Sequence, residues 1–396
     1  MRSDYDLMIL GGGCAGLSLG ARLAKLADRC PRTLLIERRT EYENDRTWCF
    51  WDDGSSSAGH LARHRWGSMR ITHASKSAML SCLKTPYTMV EGGAFYSGAL
   101  GEIAKSDRIT LAKGLVPLRE PFRRGNLWHV ETASGCFNAR MIVDTRPESA
   151  PSQGGAMLWQ SFHGQEIECN EPIFDPSTLE LMDFSRSSSG RIQFVYVLPV
   201  SHRRALVEVT VLSPDPVEHA DLSAELAIAT ARYSQGSQFS VVRSEHGILP
   251  MGQTGVKVPK GVRSDPTYVR AGLSGGAARP STGYAFQRIQ RWADLCGAKL
   301  AEGKLPIAHP ADPPLLRALD HLFLSVLRSR PEQAPSLFYS LFDKTSTPRL
   351  IRFLSDRATA LDYVSVACAL PFLLFIQEIP RVVMKQIFQP RESLGI

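Results

Sequence analysis

Near the amino end, short apolar runs alternate with an amphipathic stretch. Leu7-Met8-Ile9-Leu10 is uninterruptedly apolar and stops at glycine, the pattern of a buried parallel strand. Leu17 to Leu26 is rich in Ala and Leu, with Arg22 and Lys25 on a polar side, and predicts a helix. Thr33-Leu34-Leu35-Ile36 predicts a second strand ending at Glu37. Farther on, Gln193–Leu198 and Ala205–Leu212 are dominated by β-branched, aromatic and aliphatic residues. Pro199 to Arg204 separates them, so they predict an antiparallel pair. Strand alternation then puts Leu206, Glu208 and Thr210 on one face. Tyr268-Val269 predicts a strand before the glycine stretch Gly272 to Gly276, and residues 284 to 298 predict a helix. Residues 363 to 377 carry no charge. That run falls short of the ~20 apolar residues of a membrane span, with Pro371 breaking it and Glu378 ending it. It reads as a buried core helix or as an interfacial one, with Lys385 and Arg391 beyond it to meet lipid phosphates.

The chain has 396 residues, 43% of them hydrophobic and 21% charged, which suits a folded enzyme of two domains at ~100–200 residues each. The net charge of +7 is dispersed, and without a Lys/Arg block no nucleic-acid partner is expected. The eight cysteines form no CxxC pair and none stands near a His at ligand spacing, so no metal site is expected. The amino terminus leads straight into a strand without the cleavage pattern of a secretory signal. The expected location is the cytoplasm.

Gly11, Gly13 and Gly16 follow the first strand as G-x-G-x-x-G. Such glycines permit a tight turn, close backbone approach to a pyrophosphate, and close helix–strand packing, in that order. The helix amino terminus offers its free N–H groups to phosphate. Glu37 lies 21 residues after Gly16, where an acid can bind a ribose. Strand, glycines, helix, second strand and acid in order make a dinucleotide fingerprint. FAD and NAD share it, and its place at the amino end favours FAD by analogy with two-domain flavoproteins.

Thr47-Trp48-Cys49-Phe50-Trp51 concentrates aromatic residues just after this unit. It resembles the "TWCFW" signature of bacterial lycopene β-cyclases. Asp175-Pro176 with Leu181-Met182-Asp183-Phe184, and Tyr196-Val197-Leu198-Pro199 with Leu206-Val207-Glu208-Val209-Thr210, are similar to further segments of that family. So are Glu245, Gly247, Pro250 and Met251, then Gly272 with Pro280-Ser281-Thr282-Gly283-Tyr284. Leu319-Asp320, Phe338–Phe342 and Arg352–Asp356 continue the series. The chain departs from the family in two places. Val209 follows Glu208 where the family commonly has a second acid, and Arg279 replaces a residue that is often His.

The resemblance implies an α/β fold: a Rossmann-type FAD-binding domain with an inserted antiparallel-sheet substrate domain and a helical carboxyl-terminal region. The expected division is 1–75, 135–165 and 245–305 for FAD, 76–134 and 166–244 for substrate, and 306–396 for the helical region, a candidate membrane contact. FAD is expected on Gly11, Gly13, Gly16, Glu37, Gly272, Thr282 and Gly283, and a polyene among Trp48, Phe50, Trp51 and Tyr196. The implied substrate is lycopene or a related acyclic carotene, taken up by a protein peripheral on the inner face of the membrane. A lone Glu in a strand is more often an exposed carboxylate. The resemblance instead points to Glu208 as the general acid, with Asp183 as an assisting acid. The implied reaction moves no net electrons, so NAD(P)H serves only to reduce the flavin. Many FAD enzymes carry an Asp after the glycine that Gly272 represents, and Leu273 stands there instead. That argues against a monooxygenase, and the "TWCFW" signature argues against both a monooxygenase and a prenyl reductase on the same fold. A non-catalytic carotenoid carrier would need no acid at 208.

Overall fold

The computed structural model describes residues 4–147, 156–186, 190–252 and 265–388, with side chains up to residue 380. From the amino end run β1 (Tyr5–Leu10), α1 (Cys14–Ala24), β2 (Thr33–Glu37), β3 (Thr47–Trp51), β4 (His64–Trp66), β5 (Ser68–His73), β6 (Lys76–Ser81) and β7 (Tyr87–Glu91). Then come α2 (Gly92–Ile103), β8 (Ile109–Lys113), β9 (Phe122–Arg124), β10 (Leu127–Thr132) and β11 (Gly135–Asp144). The middle holds β12 (Leu158–Cys169), β13 (Thr178–Asp183), β14 (Ile192–Pro199), β15 (Arg204–Ser213), α3 (Ser223–Tyr233) and β16 (Phe239–Met251). β17 (Tyr268–Arg270) and α4 (Phe286–Ala301) lead into α5 (Pro314–Ser329), α6 (Ala334–Lys344), α7 (Thr347–Leu354), α8 (Ala360–Ala369) and α9 (Phe372–Phe388).

The first sheet has the order β8-β2-β1-β11-β10-β9, with β17 also on β11. Its inner strands are parallel because α1 and the longer crossovers return the chain to the same edge. Leu7, Ile9, Leu17, Leu19 and Leu23 are fully buried between sheet and helices, each worth ~1.5–3 kcal/mol. The second sheet, β16-β12-β15-β14-β13-β5-β6, is antiparallel except between β13 and β5. A small sheet, β3-β7-β4, also belongs to the structure.

The expected domain limits shift on this topology. β8, β9 and β10, expected in the substrate part, hydrogen-bond into the first sheet. β5, most of β12 and the end of β16 lie in the second sheet rather than the FAD part. Sheet membership is set by partners distant in sequence, which a strand's own residues do not reveal.

On β15 the alternation is as expected. Val207 and Val209 pack beneath α3 with Leu226 and Ala229, while Leu206 and Glu208 face the other way. In the tail, Leu370 is extended ahead of Pro371, and α8 and α9 meet at 99°. Glu378 does not end α9. It is buried, and its carboxylate accepts hydrogen bonds from Ser325 (2.8 Å) and Ser329 (3.0 Å) on α5. Among the described residues no single helix is long and apolar enough to cross a membrane. Arg391 lies outside the described residues.

Candidate active site

The carboxyl ends of β1 and β2, the inner face of the second sheet and β3 enclose one continuous cavity of about 1350 Å3. Open α/β sheets bind their ligands at this end of the strands. Gly11 sits at φ +94°, which only glycine adopts readily. A Cβ on Gly16 would lie 1.9 Å from the Gly11 carbonyl oxygen, so α1 packs onto the turn only because residue 16 has no side chain. A Cβ on Gly13 would meet no atom within 4 Å. That open space borders the cavity at the amino end of α1, where free backbone N–H groups suit a phosphate.

Glu37, at the end of β2, accepts the Gly12 N–H at 2.5 Å and the Arg39 side chain at 2.9 Å. Burial pushes its carboxyl up, but the Arg39 and Gly12 hydrogen bonds prevail and hold it below the usual range. Gly272, Thr282 and Gly283 border the same cavity. Gly272 (φ +72°) donates its N–H to His309 Nε2 at 3.0 Å, and Gly283 has φ +69°. Beneath this loop Arg279 is buried in a two-pronged pair with Asp320 (3.2 and 3.1 Å), and Ser281 also donates to Asp320. Arg279, which stands where the family often has His, thus ties this loop to α5.

β3 divides its aromatic residues by parity. Trp48 and Phe50 stack on Phe286 of α4 at 5.1 and 5.5 Å. Thr47, Cys49 and Trp51 face the second sheet. Trp51 packs on Tyr87 (5.0 Å) and Tyr284 (5.8 Å), and Tyr196 lies opposite Glu208 in the ladder. All four aromatic residues expected to meet substrate border the cavity.

Glu208 borders it too. Burial, then the charge of Glu245, pushes its carboxyl well above the usual range, while the Thr210 hydroxyl (3.1 Å) opposes this. Burial likewise raises Tyr196 and Cys49 beside it. A carboxyl kept protonated in such surroundings is equipped as a general acid. Asp183 is not brought to it. It is held on α3 by Arg232 (2.8 Å) and the Tyr233 hydroxyl (2.6 Å) and does not border the cavity. Among the described residues no three potential ligands are grouped to hold a metal ion.

The residue that sequence reasoning missed is Glu245. It shares a motif with Gly247, Pro250 and Met251, and it borders the same cavity as Glu208.

The profile described as lycopene cyclase protein matches residues 6–378. The chain belongs to the lycopene cyclase family. Two relatives are named lycopene beta-cyclase. The one from Pantoea ananas is 25% identical over 314 residues, covering 75% of each chain. The other, from a Paracoccus species, is 26% identical over 302 residues, 74% of this chain and 72% of that one. In fold, this lycopene cyclase family member is similar to a geranylgeranyl bacteriochlorophyll reductase-like protein from Thermoplasma acidophilum. Its TM-score is 0.59 at 13% identity, over 96% of this chain and 98% of the other. That likeness concerns architecture alone.

Proposed function

We propose that the protein is a lycopene β-cyclase that binds FAD. The observation that carries this reading is Glu208, a carboxyl raised well above its usual range, facing an aromatic-walled cavity that continues into the glycine cradle. Gly11, Gly13 and Gly16 would take the pyrophosphate, Glu37 the ribose, and the loop of Gly272, Thr282 and Gly283 the flavin end. When bound, a reduced flavin would supply negative charge that stabilises a developing cation. NAD(P)H is the proposed source of its electrons.

Glu208 delivers its proton to the terminal double bond of an acyclic carotene end. The tertiary cation is attacked by the next double bond along the chain, two methylenes away, which closes a six-membered ring, and loss of a ring proton sets the β double bond. Trp51, Tyr87, Tyr284 and Tyr196 line the cavity, and an aromatic face is worth up to ~2 kcal/mol to a desolvated cation. Substrate and product are isomers, so the balance needs no net electrons.

We also place the protein at the cytoplasmic face of the membrane, attached through the α8–α9 elbow. There Leu361, Val364, Phe372 and Leu373 are each more than half exposed, which is costly in water and favourable in lipid.

The test is Glu208→Gln, expressed in a lycopene-accumulating host and assayed pure with prereduced flavin under anaerobic conditions. Wild type is expected to make cyclic carotenes over many turnovers without stoichiometric NAD(P)H loss. The variant should fold, bind FAD and lose ~10²–10⁴-fold in rate. Near wild-type turnover by the variant removes Glu208 as the acid. One NAD(P)H consumed per ring replaces the cyclase reading with a reductase.

A further inference from the structure

Glu208 on β15 and Glu245 on β16 are separated by β12, and both stand opposite the same residue of it, Gly164. Two strand spacings are ~9.5 Å, too far for short side chains to meet. The two glutamates meet because the residue between them has none. A Cβ on Gly164 would lie 3.1 Å from the Glu208 Cβ and 3.3 Å from its Cγ. The two side chains therefore face each other over Gly164, and the Glu245 charge helps to raise the Glu208 carboxyl.

Their other surroundings differ. Glu245 is buried, and it accepts the Thr47 hydroxyl at 2.6 Å and Arg243 Nη1 at 2.5 Å. Arg243 donates to Thr47 (2.8 Å) and to Glu166 (2.7 Å), and Glu166 in turn is gripped by both terminal nitrogens of Arg63. The guanidinium beside Glu245 is therefore fixed from behind. Among the described residues the only such partner of Glu208 is the uncharged Thr210 hydroxyl.

We propose that Glu245 is a positioning residue for the reaction: its ion-paired carboxylate accepts a hydrogen bond from the Glu208 carboxyl across Gly164 and so holds the proton on the group that delivers it. Of two carboxyls facing each other in a buried site, the one without a cation of its own holds a proton more readily, and Glu245 is the one paired with Arg243. When the proton leaves for the alkene, like charges face each other over Gly164, which favours reprotonation of Glu208 before the next ring. This inference rests on Glu208 as the acid. It also gives a purpose to Thr47, the first residue of the aromatic signature.

The experiment compares pH profiles of kcat for the flavin-loaded wild type, Glu245→Gln and Glu208→Gln. The charged and titratable groups facing Glu208 are Glu245 and Arg243 from β16, Tyr196 from β14 and Cys49 from β3. Glu208 must be protonated to act, so activity falls as pH rises through its folded value. Removing the Glu245 charge lowers that value. The alkaline limb of Glu245→Gln should move down by about one to three pH units. Above both limbs its kcat should then drop about tenfold per unit. An unmoved limb overturns the proposal. So does a folded Glu245→Gln that is inactive at every pH, which makes Glu245 a reacting group. Activity retained in Glu208→Gln instead removes the donor assignment beneath it. Arg243 keeps Glu166 and Thr47 in the variant, so folding should survive. Infrared difference spectra give a second readout independent of turnover. At neutral pH a protonated-carboxyl band should be present in wild type and absent in Glu208→Gln. A band lost in Glu245→Gln but kept in Glu208→Gln puts the proton on the wrong residue and overturns the proposal.

Discussion

Replacing Gly13 by Val separates cofactor binding from folding. The backbone there is at φ −78° and ψ −164°, open to any L residue, and a Cβ would meet nothing within 4 Å. Gly13 is also the cap of α1, and a poorer cap costs about 1 kcal/mol. The unliganded variant should therefore unfold close to the unliganded wild type. The new methyl groups fill the space that a pyrophosphate needs. Gly16→Ala is the contrast, because its Cβ would be driven to 1.9 Å from the Gly11 carbonyl oxygen. Overpacking of this kind costs ~1–3 kcal/mol before any ligand is added. The assay is thermal unfolding with and without FAD, alongside flavin absorbance of the purified proteins. At a hundred times the dissociation constant, FAD should stabilise wild type by about 2.7 kcal/mol. Gly13→Val should gain nothing. Gly16→Ala should start lower. Full flavin occupancy in Gly13→Val, or an apo instability as large as that of Gly16→Ala, refutes the assignment of the cradle.

Arg279→Met should cost ~3–5 kcal/mol in urea unfolding, because it strands the buried Asp320 carboxylate; adding Asp320→Leu should recover most of it. Burial, helped by the charge of Arg288, lowers His309 to about 4, and its Nε2 accepts the Gly272 N–H only while unprotonated. The folded value is below the unfolded one, so this contribution is complete above pH ~6.5 and is lost as pH falls toward 4. The loss is about 3 kcal/mol at most, and His309→Gln should flatten that part of the stability profile. Phe372→Ser with Leu373→Ser should leave stability unchanged, since both side chains are mostly exposed. Sedimentation with anionic vesicles should show at least ~10-fold weaker binding, and equal binding would place the membrane contact elsewhere.

What was legible in the sequence was local. The glycine turn, both β-strands beside it and the β14–β15 pair follow from runs and alternation within a few residues. The break at Pro371 follows from the chemistry of that one residue. What failed was non-local. Asp183 sits in a motif as suggestive as that of Glu208, yet whether a strand residue looks into a cavity or onto a helix depends on what covers each face. The answer came from Arg232 and Tyr233 of α3. Glu378 broke an apolar run and looked like a terminator, but Ser325 and Ser329 of α5 satisfy its carboxylate inside the bundle.

Val209 shows the same limit from the other side. The period of a strand is two, so neighbours at 208 and 209 face opposite ways. Val209 is fully buried beneath α3, and an acid at that position would point away from the cavity that Glu208 faces. Read along the chain, Val209 looks like the loss of half of a carboxylate pair. Read across the sheet, the second carboxyl at the cavity comes from two strands away, over a glycine, and is already ion-paired. The departure from the family at 209 therefore leaves the proposed proton donor and its proposed partner intact. A substitution at Gly164, which looks innocuous in sequence, should disturb them more than any change at 209.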